Sequence, residues 1–116
     1  MLDRSRGEWG EAADDVSSMT INYLFFGLLK TNGKELDADF RELFELFFDV
    51  YLKETSDYEL LEVIQPFYAF RGLVVASPIW YPNISMATRR KLFNFIKNVL
   101  EADEFDYKGV DKYFGR

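Results

Sequence analysis

The chain of 116 residues contains no cysteine and no histidine. Without cysteine there is no disulfide, no thiolate nucleophile and no Cys-based zinc site. Without histidine the commonest general base and the commonest transition-metal ligand are both missing. Proline is scarce, with three residues, so long stretches carry no helix-breaking ring. Long apolar runs are absent too: Tyr23 to Phe26 and Leu73 to Ala76 fall far short of a membrane span. Arg4 and Arg6 are followed by Gly, Glu and Asp, not by the apolar core of a signal peptide. A cytoplasmic protein with no membrane contact is expected. Basic residues are the minority, 14 against 20 acidic ones, for a net charge of −6. That balance argues against a nucleic-acid partner, which needs a basic face to displace counterions. It suits either simple solubility or a cationic ligand.

What the chain has in excess is aromatic side chains, 18% of all residues, including twelve Phe and seven Tyr. Rings bury a large area each, so a single domain of this length can build a substantial core from them. Some of those rings could instead cover a partner.

Residues 1–13 read as an irregular lead-in, and Asp14 or Asp15 as the cap of a first helix from Val16 to Lys30. Thr31-Asn32-Gly33-Lys34 reads as the turn that ends it, with Asn32-Gly33 in the left-handed conformation. A second helix, capped by Asp37 or Asp39, carries Phe40, Leu43, Phe44, Phe47, Phe48, Tyr51 and Leu52 as one stripe at helical spacing. Asp49 and Lys53 are spaced for an i,i+4 pair. Ser56 to Glu59 has the spacing of a capping box for a third helix. Pro66 predicts a break near Gln65 before that helix continues to Ala76. An ordered loop from Ser77 to Asn83 precedes a fourth helix, Met86 to about Glu101, capped by Ser85. Its expected inner face is Phe93, Ile96, Val99 and Leu100, with Leu92 and Phe95 flanking and Arg89, Arg90 and Lys91 outward. Val110 to Phe114 closes the chain as one short helix. The result is an all-α fold, a single helical domain of about four main helices.

The first fifteen residues carry the only specific motif. Met1-Leu2-Asp3 followed by Gly7-Glu8-Trp9-Gly10-Glu11-Ala12-Ala13-Asp14-Asp15 is similar to a segment of the aminoglycoside phosphotransferase and choline kinase-like family. There, a metal-binding Asp precedes a Trp-Gly-acid-Pro-Ala-x-Asp turn that leads into a helical subdomain. This chain has Ala12 where the family commonly has Pro, and Asp14 where it commonly has an apolar residue. The helical remainder, including Phe70 to Pro82, looks like the substrate-side helices of that family.

The resemblance implies a fold like the C-terminal substrate-binding subdomain of such a kinase. It implies ATP-dependent phosphoryl transfer to a hydroxyl of a small-molecule acceptor in the intact enzyme. Asp3 would hold Mg²⁺ at the ATP phosphates. Glu8, Trp9, Arg71, Trp80 and Tyr81 would shape the acceptor site, where rings and acids suit a cationic or sugar-like molecule. Asp15 would buttress the turn. The family's His-Gly-Asp catalytic loop is not among these 116 residues, nor is any Gly-rich phosphate loop, so the chain alone is expected to be inactive. Each residue also has a plainer structural reading. Trp80 and Tyr81 would plug the end of the bundle, Arg71 would pair with Glu62 or Asp57, and Asp14 would cap a helix. The alternative function is a freestanding, non-catalytic helical interaction module that could form a homodimer. Under the kinase reading an apolar patch would meet the missing nucleotide-binding half or be covered by self-association.

Overall fold

The computed structural model describes residues 9–77 and 81–115. The longest helix, α1 (Trp9–Lys30), organises the rest: it packs against α2 (Ala38–Thr55), α3 (Leu60–Val63), α4 (Gln65–Ala76) and α5 (Met86–Leu100). A short 3-10 helix (Val110–Phe114) lies on α5. Among the described residues there is no strand, and the domain is all-α, with four main helices.

α1 starts five residues before Asp14, which corrects the expected lead-in and cap. Ala12 and Ala13 have the highest helix propensity, and no proline interrupts the run. Helix therefore extends back through Trp9, and both aspartates become interior positions. Asp15 is exposed within the helix. At the other end, Asn32 and Gly33 both take positive φ, and the Gly33 amide donates to the Leu28 carbonyl. Gly33 also lies where any Cβ would strike the start of α5, at Ala87 and the Thr88 amide.

Asp37 caps α2, accepting from the amides of Asp39 and Phe40. Phe44, Phe48 and Leu52 are buried, whereas Leu43 is 46% exposed and stands outside the expected stripe. The Asp49 carboxylate meets the Tyr107 hydroxyl at 2.7 Å and Lys108 at 3.7 Å instead of forming the expected pair with Lys53. Ser56 takes a left-handed conformation and ends α2, its amide donating to Leu52. It cannot also be the extended N-cap of α3, so the capping box does not form. Thr55 instead accepts from the Asp57 amide. The break near Gln65 is present: Ile64 ends α3 and precedes α4, and Pro66 sits in the first turn of α4. There its missing N–H costs no helical hydrogen bond.

Ser85 caps α5 by accepting from Thr88, but the helix faces inward differently from expectation. Leu92, Phe95 and Val99 are fully buried, while Phe93 is 49% and Leu100 53% exposed. Both sets have helical spacing. The buried set wins because the chain's tail returns to cover it. Phe114 stacks on Phe95 at 5.0 Å between ring centroids, and Asn94 and Asn98 donate to the carbonyls of Phe114 and Tyr113.

The centre is a ring cluster. Phe105 lies within 4.8–6.1 Å of the rings of Tyr68, Tyr113, Phe48 and Phe44. Tyr68 is fully buried, with its hydroxyl against Thr20 Oγ1 at 2.5 Å. Thr20 spends its one hydrogen on the Val16 carbonyl at 2.6 Å, so Tyr68 is the donor in that pair. Burial raises the Tyr68 phenol far above the ordinary tyrosine range, against the smaller opposing effect of the Thr20 bond.

Candidate functional site

The helices bring one pair of candidate polar groups together. Arg71, half-buried on α4, reaches the second turn of α1. Its guanidinium meets the Asp14 carboxylate at 2.7 Å, with side-chain exposures of 29% and 49%. The expected partners were Glu62 or Asp57. Asp14 takes the place because α1 and α4 pack side by side and the early start of α1 carries Asp14 past the C-terminal half of α4. The charged plane also lies over the Phe70 ring at 5.3 Å. The Arg71 Nε is buried and has no hydrogen-bond partner among the described residues. A fixed guanidinium with an unused donor is a feature that binding sites exploit, because an unmade hydrogen bond is costly.

Tyr81 is placed elsewhere. Its ring meets Phe25 edge-on at 4.9 Å, and its carbonyl accepts from Arg89 at 2.9 Å. Asp14 and Phe25, the α1 residues that Arg71 and Tyr81 engage, are eleven residues apart. At 1.5 Å per residue that is about 16 Å along the helix. Arg71 and Tyr81 therefore do not line one small pocket by themselves. Asp3, Glu8 and Trp80 lie outside the described residues. Trp9 begins α1, and only its backbone is described.

Two features escaped the sequence reading. Arg89 is not a solvated outward residue: it also donates to the Ala76 carbonyl at 2.9 Å and so ties α5 to the end of α4 as well as to Tyr81. Asp14 is an ion-pair partner and not a cap. Neither has a local signature, since each role depends on a residue 8 to 57 positions away.

Among the described residues no three acidic groups converge on a point where a metal ion could sit. The described carboxylates thus do not make a Mg²⁺ site among themselves, and Asp3 lies outside them. No described helix is long and apolar enough to cross a membrane. Comparison with protein-family models, with curated proteins and with solved structures finds no match.

Proposed function

We infer that this chain is the acceptor-side helical part of an aminoglycoside-phosphotransferase-like small-molecule kinase. The observation that carries the reading is the sequence run from Asp3 through Trp9-Gly10-Glu11 to Asp15, whose part from Trp9 onward forms the first turns of α1 in an all-α domain. The Asp14–Arg71 contact supports it, because it ties that run to the helix assigned to the acceptor side. In the intact enzyme a hydroxyl of the acceptor takes the γ-phosphoryl group of ATP. Asp3 supplies a carboxylate for Mg²⁺, and the general base and nucleotide grip come from residues this sequence does not contain. Positioning of donor, metal and acceptor is most of the catalysis in such reactions, so the chain alone binds acceptor without turning it over.

The chain's two tryptophans, Trp9 and Trp80, are both candidate acceptor residues. Their fluorescence is therefore a direct probe. Kanamycin and choline, as a cationic aminocyclitol and a cationic alcohol, are titrated into the full chain without ATP. Saturable quenching by at least one of them is expected, weakened by Arg71→Gln. No response from either over the millimolar range would contradict the assignment of an acceptor site to this chain.

The second reading is a non-catalytic module that self-associates. It is favoured by exposed apolar residues on adjacent helices: Met19, Phe26 and Leu29 on α1, and Leu43, Leu46 and Val50 on α2. Sedimentation equilibrium of the full chain separates the two. A dimer lost in Phe26→Glu and Leu46→Glu, without any acceptor binding, would favour the module.

A further inference from the structure

A hollow that gathers three cationic side chains lies at the opposite end of α1 from Asp14. A cavity of about 420 Å³, open to solvent, is formed where the α1–α2 loop, the first turns of α2, the middle of α5 and the chain's tail meet. Its lining includes Lys34, Arg41 and Lys91, with Glu35, Asp111 and Phe114. None of the three cations is within ion-pair distance of a described carboxylate, although acidic residues outnumber basic ones in the chain. Arg41 and Lys91 are half-buried, so they are partly withdrawn from water, and Glu35 and Asp111 share the cavity without closing an ion pair to them among the described residues. Cations held in that way favour an anion.

The walls are fixed in place. Thr31 Oγ1 donates to the Glu35 carbonyl and accepts from the Glu35 amide. Ser85 holds the Asn32 carbonyl, and Gly33 is pressed against α5. Asn98 donates to the Gly115 carbonyl at 2.6 Å and Asn94 to that of Phe114 at 3.1 Å. Groups so tethered need little reordering on binding.

We propose that this cavity binds a small phosphorylated polyol, such as a sugar phosphate. Lys34, Arg41 and Lys91 would receive the phosphate, and Glu35 and Asp111 would accept hydrogen bonds from hydroxyls. The size lies within the range of small-molecule sites. The site is independent of the phosphotransferase reading, because Asp14 and Arg71 lie at the other end of α1.

Amide shifts of the ¹⁵N-labelled full chain are followed with glucose 6-phosphate, inorganic pyrophosphate and glucose at matched ionic strength. Glucose 6-phosphate is expected to give saturable shifts at Glu35, Arg41, Lys91 and Gly115, and to bind more tightly than pyrophosphate. Arg41→Gln and Lys91→Gln each weaken it at least about tenfold, the loss of one charge-assisted contact. Lys97→Gln, at an exposed pair outside the cavity, leaves it unchanged. If one cavity variant fails to fold, the other carries the test. No saturation by about 10 mM, or equal affinity in the cavity variants, overturns the site. Pyrophosphate binding as tightly as glucose 6-phosphate overturns the polyol assignment.

Discussion

The ring cluster around Phe105 and the Asp14–Arg71 edge of the same domain are held in opposite ways. In the cluster, Phe105 touches four other rings and every member is buried. At the edge, a partly exposed ion pair holds Arg71 to Asp14, and the buried Nε of the same arginine has no partner among the described residues. Redundant apolar contacts make the first region resistant to rearrangement. The second rests on a partly exposed polar contact with a donor to spare, so it can respond to a ligand. Stability and binding are thus assigned to different regions, and that division can be attacked by mutation.

The largest expected effect is in the cluster. Phe105→Ala opens a cavity among four rings and should destabilise the domain by about 3–5 kcal/mol, read from urea unfolding. A loss below about 1 kcal/mol would mean that the rings do not hold the fold. Next is Tyr68→Phe, which removes a donor from Thr20 and should cost about 0.5–1.5 kcal/mol. This variant also changes the pH response. Burial keeps the Tyr68 proton in place in the folded chain, while the unfolded chain loses it near pH 10. Above that pH the unfolded state binds fewer protons, so stability falls as pH rises. Tyr107 adds to the same alkaline loss: burial, then the bond it donates to Asp49, pushes its hydroxyl up to about 12. Urea midpoints measured across about pH 9 to 11 should therefore fall less steeply in Tyr68→Phe than in the parent, and equal slopes would refute the assignment.

Effects at the edge should be smaller. Arg71→Gln breaks a partly exposed pair and should change stability by about 1 kcal/mol or less, while reducing tryptophan quenching by acceptor. A large loss of stability with binding intact would reverse the roles given to the two regions. Smallest is Lys97→Gln: the exposed pair with Glu101 should be worth only about 0.2–0.5 kcal/mol, within error of thermal melts.

The same contrast explains what could be read from the letters. The all-α class, the Asn32-Gly33 turn, the Asp37 and Ser85 caps and the break before Pro66 were legible because each is decided within a few residues. The face of α5 was not. Leu92, Phe95 and Val99 compete with Phe93, Ile96 and Leu100 at equal spacing, and only the returning tail selects between them. The start of α1 was missed because glycines and charges suggest a loop, whereas Ala12 and Ala13 let the helix run back to Trp9. Of the candidate site, Arg71 was found by its place among rings, but its partner Asp14 lies 57 residues away and gives no local sign. Lys34, Arg41 and Lys91 come from three separate segments, and no motif unites them.

The central claim, that this helical domain is the acceptor side of a larger kinase, is tested most directly on the endogenous protein. Its mass and the reading frame ahead of Met1 are to be determined together. The account predicts a product larger than 13.7 kDa, with an in-frame His-Gly-Asp motif about 15–20 residues before Asp3. An endogenous product of 13.7 kDa, with no such motif encoded upstream, would contradict it.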